Sequence, residues 1–448
     1  MRKTKISTSY SVRFPFDKSR NAVLETTVAI YREVVDYFVR IFLAKWDTDF
    51  SSLSQKERLT LMEHFTHATK DNPEPEFAFD KSFYKYPSNY RRAAINEAAG
   101  KVSSYLSNVA RWEKNGKKGK KPGYPRVGYT YPALYKEGYK RDSLYVARVK
   151  VFTRSTWDWI EIPLRKSDAD YIEKYCADRC AKAPSLRKRG KIWSLDFPFE
   201  EEVSLRDKKV FEQTILSVDL GINSACTCCV MLADGTIIGR KFLHLPVEED
   251  SLRHALNKIK KAQQAGAKRT PRLWAKAVGI NDHIATKTAR YIMDVALEYD
   301  VDVIVFEHLD IQGKKMGKHK QRLHLWKANY VQAMVADKAH RMGIRISHVN
   351  AWNTSRLSFK GDGKVLRGRD TDLPSYSLCI LPDGGVYNCD LNASYNIGAR
   401  YFIREILKSL PEMARLDIEA NVPRCTKRST CTLSTLIRLN AVLVALVA

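Results

Sequence analysis

Thr214-Ile215-Leu216-Ser217-Val218-Asp219 reads as a buried strand that ends on a carboxylate. Leu220-Gly221-Ile222-Asn223 then turns the chain, and Ala225 to Leu232 reads as a second strand. Ala233-Asp234-Gly235-Thr236 has the composition of a hairpin turn, so Ile237 to Leu245 becomes a third strand. Two helices follow, the second with Ile284, Ile292, Val295 and Tyr299 on one side. Val301 to Phe306 is an almost continuous apolar strand, and it too runs into a carboxylate, Glu307. A helix over Leu323–Met342, a strand over Ile344–Val349 and a final helix opened by Asp390 (Asp390–Leu407) complete the pattern.

The order β-β-β-α-β-α-β-α is that of the RNase H-like fold. Acids at the ends of its first and fourth strands, with a third on its last helix, can converge on one point. One acid at a strand end means little; three with this placement point to metal chemistry. Magnesium is hard, prefers oxygen, and binds through a few carboxylates completed by phosphate oxygens and water. Two such ions serve phosphodiester hydrolysis by activating water and stabilising the leaving oxygen. Asp219, Glu307 and Asp390 are therefore the expected catalytic and magnesium-binding residues, with manganese an acceptable substitute. The bland alternative is that these acids cap helices or sit solvated, and for Asp390 a capping role is reasonable by itself. His308 adjoins Glu307, but a neighbouring strand position points elsewhere, so a structural role is expected for it.

Working outward, the charge balance says what such a core would meet. The 448 residues carry a formal net charge of +26, and a polyanion is the simplest partner for that excess. A membrane reading fails: the most apolar helical stretch, Val23 to Trp46, holds Arg32, Glu33, Asp36 and Arg40, and the apolar tail Asn440 to Ala448 is short. Met1-Arg2-Lys3-Thr4 opens no secretory signal, so a bacterial cytoplasmic, nucleoid-associated location is expected. Nine cysteines in such a chain read as free thiols or metal ligands.

Upstream of the core the chain divides. Ser7 to Phe14 alternates as a strand, and Val23, Thr27, Ile30, Val34, Phe38 and Ile41 then share one helical face. Further helices are expected around Ser54–Phe65 and Tyr90–Trp112. Lys114 to Arg126 is a glycine- and proline-broken loop in which Lys117, Lys118, Lys120, Lys121 and Arg126 are candidate phosphate contacts; a solvated linker is the alternative. Short β-prone runs recur from Ser143 to Phe197 and, with the first strand, predict a small β-barrel. Cys176 and Cys180 fall one turn apart on an expected helix and read as packing. The predicted segments are 1–20 (first barrel strand), 21–128 (helical lobe), 129–210 (remaining barrel), 211–349 (first part of the core), 350–384 (an insert), 385–410 (final motif and helix) and 411–448 (C-terminal segment).

Val218-Asp219-Leu220-Gly221-Ile222, Val305-Phe306-Glu307-His308-Leu309 and Cys389-Asp390-Leu391-Asn392-Ala393-Ser394-Tyr395-Asn396-Ile397-Gly398 resemble the three RuvC motifs of transposon-encoded TnpB nucleases. Compact type V CRISPR effectors share those motifs. Gly-Lys-Lys-Pro-Gly-Tyr-Pro-Arg resembles that family's lobe-to-wedge junction, and Asp-x-Asn-Ala-x-x-Asn-Ile is the most specific match. The resemblance implies a multidomain α+β protein: an RNase H-like (RuvC) nuclease core, a helical recognition lobe and a small β-barrel wedge domain. It implies an RNA-guided DNA endonuclease, with a guide RNA and double-stranded target DNA carrying a short flanking motif as partners. A transposase acting without a guide and a guided DNA-binding repressor are the alternatives, although a repressor is expected to lack one of the acids. The family usually carries two Cys-x-x-Cys pairs in the insert, binding zinc. Here Ser358 and Gly361 stand about where cysteines would be, and Pro382 replaces the partner of Cys379. Cys379, Cys389, Cys425 and Cys431 supply four ligands only if the tail folds back, so the insert is read as metal-free. Its Lys360, Lys364, Arg367 and Arg369 are candidates for holding the substrate strand.

Overall fold

The structure is a computed structural model that describes residues 2–135, 137–221, 225–309, 325–375 and 377–447. It comprises two compact units, Ser7–Glu201, and Met1–Ile6 with Glu202–Ala448.

Strand β1 (Arg2–Arg13), of which Ser7–Arg13 belong to the Ser7–Glu201 unit, leads into α1 (Lys18–Lys45), whose first turn is capped by the Asp17 side chain accepting from the Arg20 amide. The buried stripe of α1 is wider than the sequence pattern. Leu24, Val28, Tyr31, Val35 and Phe42 join Thr27, Val34, Phe38 and Ile41, while Val23 and Ile30 lie at its margin. A capping box between Ser54 and Glu57 opens α2 (Gln55–Thr66). The short α3 (Phe79–Ser82) and the long α4 (Ser88–Lys114) follow. Phe79 stacks on Phe38 and Tyr90 meets Tyr31 edge-on, so aromatic rings weld these helices into one core.

The β-rich part of this unit corrects the predicted barrel. Strands β2 (Tyr139–Ser143), β3 (Val146–Thr153) and β4 (Thr156–Pro163) form a three-stranded antiparallel meander. After α5 (Lys166–Cys176), strands β5 (Cys180–Ala181), β6 (Ser185–Arg189) and β7 (Ile192–Leu205) join β1 in a separate four-stranded sheet. No strand ladder closes the two sheets into a barrel among the described residues. Helices take the place of closure: the Phe152 amide donates to Thr27 Oγ1 on α1, and the Tyr90 hydroxyl on α4 donates to the Lys150 carbonyl. Alternation in sequence reports a half-buried strand, and it does not say whether a helix or another strand covers it. Cys176 ends α5 and Cys180 begins β5, so the expected helix does not span both.

The second unit follows the element order read from the sequence. Strands β8 (Thr214–Asp219), β9 (Cys226–Leu232) and β10 (Ile237–Leu243) are antiparallel neighbours. Helices α6 (Pro246–Gln264) and α7 (Pro271–Glu298) precede β11 (Val303–His308), which pairs parallel with β8. Then come α8 (Ala328–Arg341) and β12 (Arg345–Asn350), the latter parallel to β11. The sheet order is β10-β9-β8-β11-β12. The predicted turn at Ile222-Asn223 and the predicted helix start at Leu323 lie outside the described residues.

Each face of this sheet buries a different cluster. Leu216, Val218, Ile304 and Phe306 pack with α7 and α8, whereas Ile215, Val303 and Val305 pack against α9 (Cys389–Ser409). The period of two therefore directs residues 215, 217 and 219, and residues 303, 305 and 307, toward α9. Gly398 lets α9 come close: a Cβ there would stand 3.0 Å from Met231 Sδ and 3.2 Å from Ser217 Oγ. β12 is an edge strand, and two outward carbonyls of it are occupied by α9 arginines. Arg404 donates to His348 O and Arg400 to Asn350 O.

The insert forms its own small antiparallel sheet of β13 (Leu366–Arg367), β14 (Leu378–Ile380) and β15 (Val386–Asn388). Helices α10 (Glu412–Asn421) and α11 (Leu433–Val447) end the chain. No helix among the described residues is long and apolar enough to cross a membrane.

Candidate active site

Asp219 ends β8 and Glu307 lies one step beyond Phe306, the last β11 residue paired with β8. Adjacent parallel strands thus set the two carboxylates side by side, both on the face that α9 covers. Asp390 lies in the first turn of that helix. Capping of α9 falls to Asn388, whose side chain accepts from the Asp390 and Leu391 amides. The capping alternative for Asp390 is thereby answered: its neighbour does that work.

The electrostatics show the convergence. Burial first, then Glu307 and then Asp390, hold the Asp219 carboxyl well above the usual carboxylate range, while Arg367 pulls it down. Glu307 is also raised by burial, against two opposing influences: a hydrogen bond from Thr354 Oγ1 and the charge of Arg400. Asp219 thus feels both of the other acids. Among the described residues, no three or more His, Cys, Asp or Glu side chains stand close enough to form a ready-made metal cage.

The remaining motif residues have structural explanations that the sequence did not reveal. Asn392 and Asn396 are four apart on α9 and fully buried. Asn392 accepts from the Phe359 amide and donates to Leu357 O; Asn396 donates to Thr354 O and Leu357 O and accepts from the Leu433 amide. Together they pin the segment from Thr354 to Phe359 to the helix. That segment carries Thr354, which holds Glu307. Arg400, 4% exposed, donates to the carbonyls of Asn350, Trp352, Ser429 and Cys431. Four carbonyls thus fix the guanidinium in place, with its charge near Glu307. The only sequence sign of Arg400 was a cation on the buried stripe of α9.

The predicted nucleic-acid contacts separate. Arg367 of the insert lies within electrostatic reach of Asp219. Lys360 is engaged with Asp383, and Lys364 is exposed. The side chain of Arg369 lies outside the described residues. Lys117, Lys118, Lys120, Lys121 and Arg126 are all exposed in an irregular loop, where Gly116 and Gly119 take positive φ. Cys379 and Cys389 share one small apolar cluster, whereas Cys425 and Cys431 belong to another. Burial pushes the Cys389 thiol up to about 12 and the Cys431 thiol up to about 11, so all of this sulfur is held as neutral thiol packing.

Comparison with known proteins places these features in context. The model of the Aq_aa04 family matches residues 8–153, within the first unit. An uncharacterized protein of Aquifex aeolicus (strain VF5), aq_aa04, is 28% identical over 149 residues, covering 30% of this chain and 84% of its own. A TnpB-like protein of the same organism, aq_aa05, is 27% identical over 240 residues, 48% of this chain and 76% of its own. Among solved structures, a Cas12f1–sgRNA–target DNA complex shares 12% identity at a TM-score of 0.33, covering 88% of this chain and 98% of that one. CasPhi-2 (Cas12j) bound to crRNA shares 11% identity at a TM-score of 0.35, covering 89% and 98%. In sequence, then, residues of this chain are similar to a protein named TnpB-like.

Proposed function

We propose that the chain is an RNA-guided DNA endonuclease that hydrolyses phosphodiester bonds at a two-metal RuvC site on an RNase H-like core. Asp219, Glu307 and Asp390 are its catalytic residues and magnesium ligands. The observation carrying this reading is the placement of Asp219 and Glu307 on adjacent strands beneath the first turn of α9, with the Asp219 carboxyl raised by burial and then by Glu307 and Asp390. Three mutually repelling carboxylates destabilise a fold unless a cation relieves them. Their all-oxygen donor set, few in number, suits magnesium completed by water and phosphate oxygens, and manganese has the same preference.

Each residue has a part. Asp219 would be the central metal ligand, with Glu307 and Asp390 each adding a carboxylate to the site. Thr354 orients Glu307 by its hydrogen bond, and Arg400 favours the ionised form of that carboxylate. Arg367 lies near Asp219 from the insert and is placed to hold a strand phosphate beside it. Metal bound here would polarise the scissile phosphate and generate the attacking hydroxide. The likeness to a TnpB-like protein supports a guide RNA and a double-stranded DNA target. The exposed loop lysines at 117, 118, 120 and 121, with Arg126, Lys360, Lys364 and Arg369, supply further backbone contacts in this reading.

The test is cleavage and binding by the purified protein with its co-purifying RNA sequenced. Asp219→Ala, Glu307→Ala and Asp390→Ala are each expected to lose cleavage by roughly 10³-fold or more while retaining target binding. Near-normal cutting by all three variants would falsify the nuclease assignment. Strand joining without RNA would replace it by a transposase.

A further inference from the structure

A cavity lies behind Arg400, between the end of β12, the outer face of α9 and the turn at Pro423–Thr426. Its volume is about 240 Å³, just below the usual range of about 300–1,000 Å³ for ligand pockets. That space accepts one small molecule and excludes a duplex. Arg404, Lys408, Arg415 and Arg428 reach it, against one carboxylate in the wall, Glu419. Glu405, beside it, engages both Arg404 and Lys408, and Glu419 pairs with Arg415 at 3.5 Å. Arg428 is exposed and has no partner among the described residues. The deficit of carboxylates leaves the rim cationic.

The interior is different in character. Val349, Ile403, Leu407 and Cys431 present carbon and neutral sulfur. An inorganic anion uses only the rim, and a purely apolar ligand leaves the cations without purpose. A ligand with a flat apolar body and one anionic end uses both. Backbone carbonyls already occupy Arg400 at the rear wall, so the anion-binding capacity lies at the open side.

We propose that this cavity binds a single nucleotide unit, with the base against Ile403 and Leu407 and the phosphate between Lys408 and Arg428. The unit is a nucleoside monophosphate, either free or at the 5′ end of a strand. This site is separate from the carboxylates and goes beyond the nuclease reading.

The experiment is calorimetric titration of the full-length protein with adenosine 5′-monophosphate, inorganic phosphate and adenosine. Saturable binding of the monophosphate, tighter than either fragment, is expected. Arg428→Glu, at an exposed side chain, is expected to weaken it about tenfold or more. Leu407→Trp, which fills the interior, is expected to abolish it, with unchanged melting temperature serving as the folding control. A 5′-phosphorylated oligothymidylate then distinguishes the sources. Displacement of its 5′ end by the monophosphate identifies a strand terminus, and independence identifies a free nucleotide; either supports the site. Absence of monophosphate binding, equal affinity for phosphate alone, or indifference to both variants overturns it. Repeating the titration with Asp219→Ala separates this result from cleavage, because loss of the metal ligand leaves the cavity intact.

Discussion

Strand β11 has an acid at each end, and the fold treats the two in opposite ways. Asp302, just before the strand, is fully buried yet answered: Lys208 lies 3.0 Å away, Arg206 3.8 Å away, and the Thr214 amide donates to it. Glu307, at the other end, lies beside Asp219, whose carboxyl also feels Asp390 at the start of α9. Its help is one hydroxyl, Thr354, and the charge of Arg400. A buried acid with its own cations is structural, because the pair stabilises what burial costs. Acids gathered at one end without enough cations are held ready for something that arrives later. The same strand thus separates an end whose acid is paired from an end whose acid is crowded.

The largest expected effect tests that separation directly. Glu307→Gln removes a charge from the crowded end and is expected to lose cleavage by about 10³-fold or more with little change in melting temperature. Asp302→Ala leaves Lys208 and Arg206 without their partner. It is expected to destabilise the protein by about 2–3 kcal/mol, less than a fully buried pair because Lys208 is 45% exposed. The folded fraction should still cut at the normal rate. Chemical denaturation and cleavage assays on both variants decide the matter. If Asp302→Ala lost activity without losing stability, the two ends would not differ as described.

A smaller effect concerns Arg367, the insert cation whose charge reaches Asp219. Arg367→Ala removes positive charge from beside Asp219 and a candidate phosphate contact with it. Cleavage is expected to fall about 10- to 100-fold, with a weaker dependence of binding on salt. Lys364→Ala, on the same insert but exposed, should change cleavage far less. Equal losses from both would mean that Arg367 acts only as part of a general basic surface.

How much of this was legible beforehand follows from what each signal reports. The strand-end acids were readable because apolar runs of six residues ending on Asp219 and Glu307 carry both the element and its polarity. Their common face was implicit in the period of two. Asn392 and Asn396 were visible as a motif but not as an anchor, since their partners are backbone groups of Leu357 and Phe359, more than thirty residues away. Backbone partners leave no trace in side-chain identity. Arg400 was hidden for the same reason, as all four of its acceptors are carbonyls. The barrel failed because strand alternation specifies a covered face without naming the cover. In this chain, helices α1 and α4 supply it.

The smallest expected effect is on stability, and its direction is opposite to that of most substitutions. In protein stripped of metal, Asp219 is half-buried beside two carboxylates, and its carboxyl is raised well above its ordinary value of 3.8. A group whose folded pKa is raised binds its proton more tightly in the folded state. Its protonation therefore stabilises the fold, and that benefit is lost as pH rises from 3.8 through the folded value. At neutral pH the ionised side chain is a net burden, which Asp219→Asn removes. Metal-free Asp219→Asn should consequently melt at a higher temperature than metal-free wild type at pH 7. The gap should narrow as pH falls toward the carboxylate range, because wild type then acquires the proton that asparagine imitates. Magnesium should narrow it too, by binding the folded wild type and stabilising it through mass action, while the variant gains less. Melting curves in chelator and in magnesium, at several pH values, contain the whole comparison. A variant that melts lower than metal-free wild type would mean that the Asp219 charge is satisfied in the fold, as that of Asp302 is, and the contrast between the two ends of the sheet would be gone.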